Sequence, residues 1–262
     1  MCAFFFLFCK MYRFYFNCHQ WKPTCAQWIY ANQCLPIDEI QRINGYAYKR
    51  DAKFTLIGQL LIRYLLRKHF PHSTSDIEIQ RTQNNRPFVN RKYSFDFNLS
   101  HHHHLVCIAG TVNGQIGCDT IVYDKKEIRK DVLRKKFTRQ ELDFIHENPM
   151  NFHRLWCLKE SYVKYLGVGI GYELLKLNFH LHTKDFDTHR FISDTSLNSS
   201  RLRFDEELLL RENQLITVCL EQSNPFSYFL ELKLDDIFHM CQPRHNSKDL
   251  CLQSWKFFEN KF

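Results

Sequence analysis

Apolar and polar positions along this chain follow two periods. Tyr12 to Cys18 reads as a strand, and within Pro36–Phe70 the residues Phe54, Ile57, Leu61 and Leu65 recur at helical spacing, which predicts a helix with one face turned inward. "DIEIQRT" and "RPFVN" predict short strands. In Phe95–Ser100 the apolar Phe95, Phe97 and Leu99 alternate with Asp96, Asn98 and Ser100, the period of a half-buried strand. The apolar run Leu105–Ala109 predicts a returning strand, so His101, His102, His103 and His104 are expected in the polar loop of a hairpin. After a turn at Gly114, "GQIGCDTIVY" opens another strand. Beyond it come a basic helical stretch to Ile145, a strong helix over Phe152–Leu166, and strands in "LKLNFHL", "LITVCLEQ" and "SYFLELKL". The pattern predicts an α/β (α+β) chain of two similar halves, residues 1–112 and 113–241, followed by a tail, 242–262, whose structure it leaves undecided. A single mixed sheet is the alternative, because no repeat of residues relates the halves. The tail and "SDTSLNSS" carry the composition of flexible segments.

Composition narrows the function classes. With 262 residues, 44% of them hydrophobic and 15% aromatic, the chain can bury a large core, which excludes a disordered protein. A net charge of +8 favours an anionic partner, whether nucleic acid, a phosphate-rich small molecule or an acidic protein. Eleven cysteines without CxxC spacing fit neither a disulfide framework nor a zinc ribbon, so reduced thiols in the cytoplasm are expected. The opening "MCAFFFLFCKMYRF" lacks the basic segment and small-residue cleavage site of a signal peptide. No later stretch reaches the ~18 apolar residues of a membrane span.

The chemistry concentrates in "FHRLWCLKESYVKYLG". On a helix Leu155, Leu158, Tyr162 and Leu166 gather on one side, while Trp156, Glu160 and Lys164 step by four along another. Glu160 and Lys164 could be an ordinary surface pair worth ~0.3 kcal/mol. Lys159 argues for more: beside the apolar stripe an ammonium is costly unless an anion meets it, so the helix is expected to face a ligand. Asp119 lies among apolar strand neighbours, where a carboxylate either binds a cation or accepts backbone N–H groups. Together with Glu160 it could offer two hard oxygen ligands to Mg²⁺. Arg50, Arg81 and Arg86 sit near element ends, positioned to grip phosphates by forked hydrogen bonds. Four adjacent histidines cannot all ligate one ion, so one or two of them are expected to be functional.

In order, "YAYKRDAK…GQLLIR", "IQRTQNNRPFV", "FNLSH", "IGCDTIV", "RKKFTRQE" and "FHRLWCLKESYVKYLGVGIGYEL" resemble the motifs of the 4'-phosphopantetheinyl transferases, nearest to their animal cytosolic branch; the likeness runs from Arg13 to Phe179. The resemblance implies a pseudo-dimer of two α/β halves with coenzyme A in the cleft between them. It implies transfer of the 4'-phosphopantetheine arm to a serine of an acyl carrier protein or carrier domain, releasing adenosine 3',5'-bisphosphate. By position, Asp119 and Glu160 would hold Mg²⁺, Glu160 would also be the base, and Lys164 would neutralise phosphoryl charge or assist the leaving group. Arg50, Arg81, Thr82, Gln83, Asn84, Asn85, Arg86, Asn98, Leu99, Ser100, His101, Lys159 and Lys164 match coenzyme A-binding positions. Many bacterial relatives carry a second acid where this chain has Ile121. The residue used instead by the animal enzymes corresponds to His102, a softer ligand that would tolerate Mn²⁺. A monomeric cytoplasmic enzyme is expected, acting on neither nucleic acid nor membrane. The alternatives are a nucleic-acid-binding module, a coenzyme A binder without transferase activity, and a metal-dependent phosphohydrolase.

Overall fold

The helices begin and end where the sequence supplies caps. In a computed structural model, described for residues 11–71, 77–112, 114–124, 130–180, 190–195, 202–221 and 227–262, Thr24 and Gln27 cap each other to start α1 (Cys25–Gln33). The helical stretch expected over Pro36–Phe70 is two helices, α2 (Ile37–Asn44) and α3 (Lys49–His69), parted at the α2 cap, Gly45. The basic stretch to Ile145 is also divided. A second capping box, Thr138 with Glu141, starts α5 (Arg139–Glu147) directly after α4 (Lys130–Lys136). The following helix, α6 (Asn151–Leu166), ends at Gly167, whose φ of 70° is a left-handed cap suited to glycine. The opening apolar run to residue 10, residues 125–129 and most of "SDTSLNSS" lie outside the described residues.

The chain folds as two units built from interleaved segments. One comprises the described residues up to Arg13, Ile79–His103 and Ala109–Phe229; the other comprises Phe14–Glu78, His104–Ile108 and Leu230–Phe262. In the second, β1 (Met11–Asn17), from Phe14 onward, pairs in parallel with a short strand at Leu230–Glu231, Phe14 opposite Leu230. Helices at Leu234–Met240 and Lys248–Glu259 complete it. The last of these lies in the segment the sequence pattern left undecided. It buries Cys251, Ser254 and Phe258 against α1, where the fully buried Trp28 stacks on Phe258 at 4.0 Å and donates its indole N–H to Ser254 at 3.1 Å.

The first unit carries the chemistry-bearing segments. It contains the hairpin β2 (Ile79–Arg81) and β3 (Pro87–Val89), then β4 (Phe95–His102), and β5 (Leu105–Val112) from Ala109 onward. Its sheet is formed by β6 (Ile116–Val122), β7 (Phe179–His180), β8 (Arg190–Thr195), β9 (Leu202–Leu209) and β10 (Gln214–Glu221), in the order β6-β10-β9-β8-β7 with antiparallel neighbours. Helix α6 lies across β6 and β10, and Leu155 and Leu158 enter a core with Phe137, Phe179 and Phe204. Strand β9 holds buried charges with dedicated partners: Glu206 takes a forked bond from Arg154, and Asp205 meets Arg13 at 2.6 Å and Arg203 at 2.9 Å.

The polar positions of β4 face the edge of this sheet. Asp96 accepts the Ile116 N–H at 2.9 Å, Asn98 the Cys118 N–H at 2.8 Å, and His102 Nδ1 the Val122 N–H at 3.0 Å. Side chains two and four residues apart on one strand thus satisfy amides two and four residues apart on the next, a side-chain ladder in place of a backbone one. The mixed α/β class expected from the pattern is what the chain adopts. Among the described residues no helix is long and apolar enough to cross a membrane.

Candidate active site

Glycine at 117 lets α6 approach β6 without a side chain between them. A Cβ there would fall 1.9 Å from the Ser161 carbonyl and 2.4 Å from the Tyr165 amide. Two residues further along β6, Asp119 is buried, 7% exposed, and accepts from the Lys164 ammonium at 2.6 Å and the Ser100 hydroxyl at 2.9 Å. Lys164 also reaches Ser100 Oγ at 2.7 Å. One turn back on α6, the half-buried Glu160 has its pKa raised, first by burial and then by the nearby Asp119 carboxylate, with Lys164 and Lys136 opposing. Trp156, Glu160 and Lys164, which step by four in the sequence, line two adjoining cavities of about 480 and 340 Å³. The larger one continues past Asn84, Asn98 and Tyr172; the smaller holds Ser100, His101, His102 and Asp119.

The loop joining β2 and β3 reaches the end of α6. Asn84 donates to the Gly167 carbonyl at 3.0 Å, and Arg86 to the Lys164 carbonyl at 2.5 Å. The same guanidinium bonds Asp96 at 2.8 Å, the Ile116 carbonyl at 3.0 Å and the Phe97 carbonyl at 3.3 Å. Arg81 turns back on its own loop, to the Asn85 carbonyl at 3.1 Å, and the Thr82 amide closes the turn on Arg86. Thr82 and Gln83 are exposed on this loop, and Asn85 takes a positive φ of 62°. Arg50 belongs to the other unit, where it is exposed beside Asp51.

Two expectations change. Lys159 does not face a ligand: fully buried, it spends its three donors on Glu141 at 2.7 Å and on the Leu174 and Leu177 carbonyls, both at 2.8 Å. The anion that the apolar stripe demanded is a carboxylate of the protein, and no donor remains for a phosphate. The histidine quartet is not all loop either. His101 and His102 are strand residues of β4, and only His103, at a φ of 57°, and His104 make the turn. Because Nδ1 of His102 accepts the Val122 amide, a neutral ring carries its proton on Nε2, leaving no lone pair there for a metal. Among the described residues no three His, Cys, Asp or Glu side chains gather into a metal-binding group.

Sequence reasoning missed Asp96, Lys136 and Glu141. Asp96 carried a usable signal, since it shares a strand face with Asn98 and Ser100. Glu141 also had one, the capping-box spacing from Thr138. Lys136 stood undistinguished in a run of cations.

Two family models match in succession: 4'-phosphopantetheinyl transferase, N-terminal, over residues 19–113, and 4'-phosphopantetheinyl transferase superfamily over residues 115–219. The chain belongs to the 4'-phosphopantetheinyl transferase superfamily. Over 201 residues it is 31% identical to the L-aminoadipate-semialdehyde dehydrogenase-phosphopantetheinyl transferase of Homo sapiens, covering 71% of this chain and 65% of that protein. With the protein of the same name from Xenopus laevis it shares 28% identity over 229 residues, 79% of this chain and 75% of the relative. With the 4'-phosphopantetheinyl transferase ffp of Bacillus subtilis it shares 26% over 147 residues, 54% of this chain and 64% of the relative. Asp119, Glu160 and Lys164 all fall within the superfamily match.

Proposed function

We propose that the chain transfers the 4'-phosphopantetheine arm of coenzyme A to a serine of an acyl carrier protein or carrier domain, with Mg²⁺, releasing adenosine 3',5'-bisphosphate. The observation that carries this is the convergence of Asp119, Glu160 and Lys164 on one pair of cavities. Two converging carboxylates, one raising the pKa of the other, leave negative charge that a divalent cation would relieve, and their hard oxygens suit Mg²⁺. Asp119 and Glu160 would hold the ion, with waters completing its shell, and it would neutralise the diphosphate of coenzyme A. Glu160, with its raised pKa, takes the proton of the carrier serine as the serine oxygen attacks the phosphorus bearing pantetheine. Lys164 faces the charge that develops on the phosphoryl oxygens and the departing nucleotide phosphate. Ser100, by holding both Asp119 and Lys164, fixes their relative position.

Asn84, Asn85, Asn98 and Leu99 line the larger cavity and are assigned to coenzyme A. His101, in the smaller cavity, and Arg50 and Arg81 are assigned to its phosphates from the resemblance. The exposed Arg134 and Lys135 on α4 suit the acidic surface of a carrier protein. The two adjoining family models support division into an N-terminal half to residue 112 and a C-terminal half from 113. A monomeric cytoplasmic enzyme completes the reading; the free cysteines among the described residues fit a reducing compartment.

Incubation with coenzyme A, Mg²⁺ and an apo carrier protein, followed by mass spectrometry of the carrier, tests the reading. It expects the added mass of phosphopantetheine, lost on chelation of the metal and lost in Glu160→Gln while coenzyme A binding persists. No gain with any of several carriers would overturn it.

A further inference from the structure

Arg86 occupies a motif position that the resemblance assigns to coenzyme A and lines the larger cavity, yet both of its terminal guanidinium nitrogens bond protein groups in the contacts described above. It bonds the carbonyl of Lys164, the residue whose ammonium meets Asp119. It bonds the carbonyl of Ile116, three residues before Asp119 on β6, and that of Phe97, three before Ser100 on β4. Asp96 completes the arrangement: one oxygen accepts both from Arg86 and from the Ile116 amide. The pair is largely enclosed, with side-chain exposures of 15% and 21%. A second contact from the same loop, Asn84 to the Gly167 carbonyl, holds the same end of α6.

We propose that Arg86, seated on Asp96, is a positioning residue that sets the Glu160–Lys164 face of α6 against Asp119 and Ser100. The guanidinium suits this work because its planar fork holds several acceptors in fixed directions, which an ammonium cannot do. Lys164 and Glu160 lie one helical turn apart, so a shift at the Lys164 carbonyl moves both side chains relative to β6.

The inference rests on the transferase reading for its kinetic part, and the experiment separates the two. Transfer to an apo carrier and calorimetric binding of coenzyme A are measured for Arg86→Gln, Arg86→Lys, Asp96→Asn and the Arg86→Gln/Asp96→Asn pair. A misplaced helix costs kcat, so Arg86→Gln is expected to lose about 100-fold in kcat with Kd for coenzyme A changed less than about threefold. Asp96→Asn shows the same split, the double variant is no worse than the worse single one, and Arg86→Lys recovers part of the rate. A rise of about tenfold or more in Kd with kcat retained, the mark of lost ground-state binding, overturns the proposal, as does an unaffected Asp96→Asn. If Arg86→Gln does not fold, Arg86→Lys and Asp96→Asn decide by the same split. If the unaltered chain transfers to no carrier, the transferase reading fails. The positioning is then judged by hydrogen exchange in the last turn of α6: acceleration in both Arg86→Lys and Asp96→Asn supports it, and unchanged exchange overturns it.

Discussion

Glu160 is held where a carboxylate is uncomfortable. Burial and Asp119 raise its pKa, so the folded chain binds this proton more tightly than the unfolded chain does. The penalty is therefore absent below the ordinary glutamate range, grows as pH rises towards the raised pKa, and is complete above it. Glu160→Gln should melt higher than the unaltered chain at neutral pH, by the few degrees that about 1 kcal/mol produces at this size, and the gain should vanish in acid. Thermal melts across pH test this, and an unchanged difference at low pH would contradict it. His102 makes the opposite point, since its ring is occupied in holding a strand amide. His102→Gln should leave the relative Mg²⁺ and Mn²⁺ dependence of transfer unaltered; a shift in metal preference would restore it as a ligand.

At the scale of elements, the site depends on how closely α6 lies on β6. Gly117 permits that approach, and the atoms a methyl group would strike are backbone, which cannot swing aside. Gly117→Ala should push α6 off the strand, destabilising the fold by about 1–3 kcal/mol or more, as overpacking does, and separating Lys164 from Asp119. Thermal denaturation alongside transfer rate measures both effects, and a fully stable, fully active variant would refute the packing. The polar alternation of β4 has a related meaning: Asp96, Asn98 and His102 are spaced to satisfy the amides of β6. The alternation was legible in the sequence, but the strand it addresses was not, because period reports a face and never its partner. The capping boxes at Thr24 and Thr138 were local and open to reading; they mark α1 and the break before α5.

Across the whole molecule, charge count and charge placement part company. Arg13–Asp205, Arg154–Glu206 and Lys159–Glu141 are internal pairs that cancel, so the net +8 is carried by groups outside them. Such pairs are poor evidence of added stability, but removing one member leaves a buried charge costing about 3–5 kcal/mol. They also explain why "LRFDEELL" gave no strand signal. Three consecutive acids are unfavourable in a strand until arginines as distant as Arg13, 192 residues away, meet them.

The sequence by itself determined the α/β class, most of the elements with clear period, the family, and the candidacy of Asp119, Glu160 and Lys164. Those follow from local spacing and from motifs, which need no knowledge of what lies across space. Only the tertiary structure decided that Lys164 faces the cavities while Lys159, on the same helix, is sealed against Glu141, and that Arg86 grips the protein's own carbonyls. A cation's role is set by the anion or carbonyl that meets it, and in this chain those partners come from distant parts of the sequence.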